Sequence, residues 1–298
     1  MICGQSQTST GKRSDDIPTD VSQLDFDRVI GGTPVPSQRK YPWVGWMGTA
    51  KNNFICTSAI INDRYILTAA HCVQSNLAGT FYVTLGSTNL FQWPAGQSIQ
   101  IAAKAIRHPN YNSQTLQNDI ALLKLQTPLN FAAHPNIRPI CLASANPSAN
   151  SVVTIAGWGR TSGSNNNIPT TLMETTVNVL SLRTCQGIWG SNINNNYVCV
   201  RATGKNICNG DSGGSLMYKT SRGYYQSAGV ASFVAGSQCL PQYGGVFTST
   251  AKYQKKGNLS FLSQHKIASA NWKLRLLGVV EITESRFLKI NHEKGVEL

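Results

Sequence analysis

Between residues 54 and 248 the chain repeats one pattern: short runs of β-branched and aromatic residues broken by Gly, Pro, Asn and Ser. Nine such runs stand out, at 54–61, 65–69, 81–85, 98–106, 120–125, 152–156, 172–180, 224–234 and 245–248. Runs of that length bury a face only by pairing with one another, so their succession predicts an all-β sandwich or barrels. Charged residues are 13% of the 298, about half the usual globular share, which excludes a coiled coil or a helical bundle. The longest apolar stretches, such as 59–61 and 276–280, fall far short of the roughly 18 residues that a membrane-spanning helix needs.

Charge and cysteine usage narrow the setting. Of the 13 acidic residues, five precede Val29 and four follow Gln254, leaving Asp63, Asp119, Glu174 and Asp211 against fifteen Lys and Arg, a middle segment at +11. Its cations are scattered singly, a pattern of solubility and of steering acidic substrates rather than of specific nucleic-acid recognition. Eight cysteines, with no CxxC and no Cys/His pairs at zinc spacing, favour disulfides over a metal site and imply an oxidising compartment. Residues 1–11 hold no apolar stretch able to serve as a secretory signal. The expectation is a signal upstream of the sequence given, or export by another route. Residues 1–28 read as a polar leader, 162–167 as a Ser/Gly/Asn surface loop open to proteolysis, and 255–298 as a basic segment of different character.

Three segments carry side chains suited to chemistry. Gly210-Asp211-Ser212-Gly213-Gly214 sets one hydroxyl among glycines, which let a substrate approach and let consecutive N–H groups converge on a developing negative charge. An ordinary Gly/Ser turn would explain that pentapeptide alone. A serine also needs a base, and His71 follows the apolar end of a run in Thr68-Ala69-Ala70-His71-Cys72, although a lone histidine is more often structural. The base needs a carboxylate, and Asp119 heads the apolar run Ile120-Ala121-Leu122-Leu123, where it must be hydrogen-bonded or costly to bury.

In the order His, Asp, Ser these segments resemble the chymotrypsin-like serine endopeptidases over residues 28–254. Val29-Ile30-Gly31-Gly32 after Arg28, Gly157-Trp158-Gly159 and Gly245-Val246-Phe247-Thr248 extend the likeness. The resemblance implies two six-stranded antiparallel Greek-key β-barrels with the site in the cleft between them. It implies His71 as general base and then acid, Asp119 as its orienting carboxylate, Ser212 as nucleophile, and the N–H groups of Gly210 and Ser212 as oxyanion hole. Ser232 would support Asp119, and 232–234 would pair with an extended substrate backbone. His108 and His134 match nothing catalytic. Cleavage after Arg28 would free the Val29 amine to pair with Asp211, making 1–28 an activation peptide and 29–254 the catalytic domain; Val29-Ile30 replaces the Ile-Val of many relatives without expected loss.

By the same resemblance the disulfides would be Cys3 with Cys141, Cys56 with Cys72, Cys185 with Cys199 and Cys208 with Cys239. A further family bridge is missing as a pair, since Val153 and Tyr218 stand at its positions. The family's calcium loop falls near 86–100, which lacks any carboxylate, so no metal and no cofactor are expected. The specificity pocket would be built from Asn206, Ile207, Ser232, Phe233, Val234 and Gly245. Asn206 stands at the base, where trypsin-like relatives carry an aspartate, and Val234 on a wall should shorten the slot. Small or medium apolar residues before the scissile bond are expected, with a preference for Leu, Phe or Tyr as the alternative because Gly245 leaves room. The implied setting is a secreted monomer acting on protein or peptide substrates, with an activating protease and protein inhibitors as partners.

The likeness ends near Gln254. The family closes with a helix that Tyr253 and Gln254 fit and Lys255-Lys256-Gly257-Asn258 do not continue. Translation into an unspliced intron is one account, since Gly257-Asn258 can be encoded around a splice-donor-like GTAA; a lineage-specific extension is the other. The altered end keeps open a non-catalytic product, misfolded or acting as a basic binding module.

Overall fold

The computed structural model describes residues 3–7, 30–93, 96–163 and 167–254. Arg28, Val29 and 255–298 lie outside those residues, together with the expectations placed on them. After a two-residue strand β1 (Thr33–Pro34), six strands close into an antiparallel barrel in the order β2-β3-β4-β7-β6-β5. They are β2 (Val44–Gly48), β3 (Cys56–Ile60), β4 (Tyr65–Thr68), β5 (Phe81–Leu85), β6 (Ile99–Arg107) and β7 (Ala121–Leu125). Closure runs through β2, whose Trp46 faces Thr57 of β3 on one side and Thr84 of β5 on the other. Alternation sets the inside of each strand: in β6, Ile101 and Ala103 are buried while Lys104 between them and β7 faces water.

A short strand β8 (Cys141–Leu142) leads into the second barrel of β9 (Val152–Gly157), β10 (Met173–Val179), β11 (Tyr197–Arg201), β12 (Ser215–Lys219), β13 (Tyr225–Val234) and β14 (Gly245–Ser249). Their order β10-β11-β14-β13-β12-β9 returns to β10, because β9 pairs with β10 from Gly157 opposite Met173 to Val152 opposite Asn178. These six strands therefore close as well, with β1 added outside β10 and β8 outside β13. Between β10 and β11 lies α1 (Leu182–Trp189), capped by the Ser181 hydroxyl accepting from the Thr184 N–H; α2 (Thr250–Gln254) follows β14. The two closed barrels match the expected fold class. Three of their strands, β2, β11 and β12, fall outside the runs read from the sequence. In β2 the two glycines of Val-Gly-Trp-Met-Gly hide the strand pattern, and β11 and β12 each end in a cation after four residues.

The disulfides are Cys3–Cys141, Cys56–Cys72, Cys185–Cys199 and Cys208–Cys239. Beside the first of them, residues 3–7 are laid against the body of the molecule: the Gly4 N–H donates to the Pro139 carbonyl at 2.8 Å, the Gly4 carbonyl accepts from Tyr225 at 2.7 Å, and the Gln7 N–H donates to the Arg39 carbonyl at 2.7 Å.

Candidate active site

Strand β4 ends at Thr68, and the buried pair Ala69-Ala70 leads to His71. Cys72 is bridged to Cys56 at the start of β3, so the turn that bears the imidazole is tied to the next strand of the barrel. Asp119, fully buried just before β7, accepts three hydrogen bonds: from the His71 N–H at 2.9 Å, from His71 Nδ1 at 2.7 Å and from the Ser232 hydroxyl at 2.5 Å. An ionised carboxylate only accepts, so Nδ1 carries a proton, and the tautomer this bond selects has its lone pair on Nε2. The same donors offset the cost of burying the charge.

Ser232 reaches Asp119 from the other barrel. The register of β13 against β14 slips between Ala231 and Phe233, which takes Ser232 out of the ladder and aims its hydroxyl across the cleft. Ser212 lies half-buried in the loop between Cys208 and β12. The Gly213 N–H donates to the Ala231 carbonyl at 2.9 Å, and at φ 80° this glycine presses on the first barrel, where a Cβ would stand 2.2 Å from Thr68 Oγ1 and 2.5 Å from the Thr57 carbonyl oxygen. A side chain there would push Ser212 away from the strand that leads to His71. Among the described residues no hydrogen bond joins the Ser212 hydroxyl to His71, as is common before a substrate arrives.

Two amides beside Ser212 are aimed by the carbonyls of their own peptide units. The Asn209 carbonyl accepts from Arg160 at 2.8 Å and the Asp211 carbonyl accepts from Gly214 at 2.9 Å. In a planar trans peptide the N–H points opposite to the C=O, so the N–H groups of Gly210 and Ser212 are turned away from those partners, and neither has an acceptor among the described residues. The Gly210 carbonyl is drawn back by Thr57, through its N–H at 3.2 Å and its hydroxyl at 2.9 Å.

Asp211 is buried, accepting from the Gly159 N–H at 2.8 Å and the Cys208 N–H at 2.9 Å. Desolvation pushes its carboxyl up to about 7, against the pull of those two backbone donors. Gly157 and Gly159 make the room: a Cβ on either would stand 2.2 or 2.3 Å from the Asp211 carboxylate. Nearby, the Ile30 carbonyl accepts from the Asn206 N–H at 3.3 Å.

Asn206, expected at the base of the pocket, is engaged with backbone: its amide donates to the carbonyls of Cys239 at 3.0 Å, Leu240 at 3.3 Å and Gly244 at 3.2 Å, and its oxygen accepts from the Ile207 N–H at 2.9 Å. Both polar atoms of that buried side chain are engaged with backbone, the amide nitrogen with the loop 239–244 and the oxygen with Ile207. Ile207 instead fills the space at Gly245, where a Cβ would meet Ile207 Cγ1 at 2.9 Å and Cδ1 at 3.1 Å. Val234 packs into the same core cluster, and Phe233 turns to Trp189 and Tyr197.

Thr57, the clearance role of Gly157 and Gly159, and the engagement of Asn206 carry no local signal in the sequence, because each acts on a residue tens of positions away. Among the described residues, the grouping of metal-donor side chains at Cys56, His71 and Cys72 has both sulfurs consumed by a disulfide, and no helix is long and apolar enough to cross a membrane.

Comparison with known proteins agrees with this geometry. The family described as Trypsin matches residues 29–256. Trypsin beta of Drosophila erecta is 35% identical over 232 residues, covering 77% of this chain and 86% of that protein, and Kallikrein-14 of Homo sapiens is 34% identical over 236 residues, covering 78% and 84%. The solved structure of neuropsin, a serine protease expressed in the limbic system of mouse brain, superposes with a TM-score of 0.67 at 26% identity, covering 79% of this chain and 98% of that one. The chain belongs to the trypsin family, and is a serine endopeptidase whose catalytic fold is cross-linked by disulfides.

Proposed function

We propose that His71, Asp119 and Ser212 are the catalytic triad of this endopeptidase, that residues 29–254 are its catalytic domain, and that the protein is secreted as a precursor cut after Arg28. Ser212 Oγ attacks the scissile carbonyl carbon while its proton passes to His71 Nε2. The oxyanion is met by the N–H groups of Gly210 and Ser212, and collapse expels the amine with the proton from His71. Water, deprotonated by the same ring, then releases the acyl group and restores Ser212. The observation that carries this reading is the buried Asp119 carboxylate, which accepts from both His71 nitrogens in range and from Ser232 and so locks the tautomer that a general base requires.

Ile207 packed on Gly245, with Val234 beside it, supports a shallow pocket and hence Ala, Val or Leu before the cut; the space that would admit Phe or Tyr is taken up by Ile207. Asn206, fully engaged with backbone, offers no counter-charge to Lys or Arg. Four disulfides and the trypsin and kallikrein relatives support export. Protein inhibitors and an activating protease are the implied partners.

Hydrolysis of a small-apolar peptide ester by the protein cut after Arg28 tests the assignment. Ser212→Ala should lower kcat by roughly a million-fold while leaving the melting temperature in place. Retained turnover in that variant would put the nucleophile elsewhere, and no turnover in the cut wild type would favour the non-catalytic reading.

A further inference from the structure

The turn that carries Asp119 is held by a side chain from the far end of the fold. Asn118 stands at φ 57°, in the left-handed region that asparagine tolerates better than other non-glycine residues. The Ile120 N–H donates to the Asn118 carbonyl at 2.8 Å, closing a three-residue turn with Asp119 at its centre. The direction of the Asp119 carboxylate therefore follows from a backbone that costs energy to maintain, and such a backbone persists only where its surroundings over-determine it.

Those surroundings are specific. Asn118 Nδ2 donates to the Asn110 carbonyl at 2.7 Å, and Asn118 Oδ1 accepts from the Tyr253 hydroxyl at 2.8 Å. The His108 N–H donates to the Ile120 carbonyl at 3.1 Å, and the His108 ring lies edge-on to Tyr253 with centroids 5.3 Å apart. Tyr253 sits on α2, beyond the last strand of the second barrel, and belongs to the core cluster of the first. Burial holds its phenol well above the ordinary range, so it remains a donor at any working pH.

We propose that Tyr253 is a positioning residue for Asp119, acting through Asn118. The packed ring fixes the hydroxyl, the hydroxyl fixes the Asn118 amide, and the amide keeps the backbone in the left-handed turn from which Asp119 reaches both His71 nitrogens. This couples the entry to the C-terminal segment with the orientation of the catalytic base, across 135 residues of chain. It rests on the reading of His71, Asp119 and Ser212 as the triad.

The test uses the full chain cut after Arg28, with rates normalised to sites titrated by a serine-directed acylating reagent. Wild-type protein that fails to titrate at Ser212 would count against the triad itself, so the two failures are distinguishable. Tyr253→Phe keeps the ring and removes the bond; it should lower kcat about 10-fold with KM within about twofold, and should move the NMR resonance of the His71 Nδ1 proton upfield. Glycine also accepts the Asn118 backbone conformation, so Asn118→Gly should show the same kcat loss and the same shift, and in that background Tyr253→Phe should add nothing further. Unchanged kcat and an unmoved Nδ1 proton in Tyr253→Phe would overturn the proposal, as would a lowered melting temperature with that resonance intact, which is the mark of packing alone. Should Tyr253→Phe fail to fold, Asn118→Gly decides: normal kcat and a normal resonance there reject the relay.

Discussion

At the scale of single residues, burial decides what each polar group does. Asn206 and Ile207 are neighbours, yet the polar one is spent on backbone carbonyls and the apolar one lies against Gly245, where we propose that it shapes the slot, because a buried amide must satisfy its donors before it can address a ligand. Replacing Ile207 or Val234 by Gly should therefore raise kcat/KM for Phe and Tyr substrates relative to Ala and Val, by about 10-fold for the loss of several methylenes. A substrate-library profile of Ile207→Gly identical to wild type would refute the assignment. Asp211 makes a second case. In the uncut chain burial makes its carboxyl keep its proton to about pH 7 rather than the ordinary 3.8. Its contribution to stability is thus fully present below about pH 4 and is lost as pH rises through about 7, on the order of 4 kcal/mol. Urea unfolding of an Arg28→Gln precursor should show that loss between pH 4 and pH 7, and Asp211→Asn should abolish it; the same slope in both proteins would remove Asp211 as the cause.

Elements matter here for where they end. β9 stops at Gly157 beside the Asp211 carboxylate, and Trp158 is buried between that glycine and the next, with its indole N–H donating to the Thr88 carbonyl at 3.0 Å. The Gly-Trp-Gly motif thus combines an anchor with two clearances. Gly157→Ala places a methyl 2.2 Å from Asp211 Oδ1, closer than any real contact, and moving the carboxylate aside would break its bonds from the Gly159 and Cys208 N–H groups. The expected result is a destabilisation of about 3 kcal/mol with loss of activity; a calorimetric melt within 2 °C of wild type, roughly the effect of half a kcal/mol, would show that the carboxylate has another place to go. β13 contributes in the same manner, since one slipped residue turns Ser232 from a ladder position into a donor to Asp119.

At the scale of the whole molecule, the described residues present a surface with little negative charge. Of the four acids in 29–254, Asp119 and Asp211 are buried and Glu174 is paired with Lys40 at 2.5 Å, which leaves Asp63 against fourteen other Lys and Arg. Such a field draws acidic peptides toward the protein from beyond contact range and is screened over about 8 Å at physiological salt. Raising ionic strength from about 20 mM to 500 mM should lower kcat/KM for a substrate with acidic flanking residues several-fold and leave a neutral one nearly unchanged. Equal salt dependence for both would mean that the scattered cations serve solubility alone.

Much of this was legible in the linear chain. The strand runs and the glycines around Ser212 announce themselves locally: a strand needs β-branched residues at alternate positions, and a nucleophile under a close-approaching substrate needs neighbours without bulk. His71 and Asp119 are visible too, as polar residues at the ends of apolar runs, although only their joint likeness to a family separates them from structural ones. Other features were decided by packing across the two barrels. The support of Asp119 by Ser232, the restraint of Gly210 by Thr57, the grip of Tyr253 on Asn118 and the diversion of Asn206 into a loop each join residues at least 33 positions apart. Nothing within a short window distinguishes such a serine or asparagine from one that faces water. Its role depends on which donor or acceptor the closed barrels bring within about 3 Å, and that is set by the register of strands and the thickness of the core rather than by its neighbours in sequence.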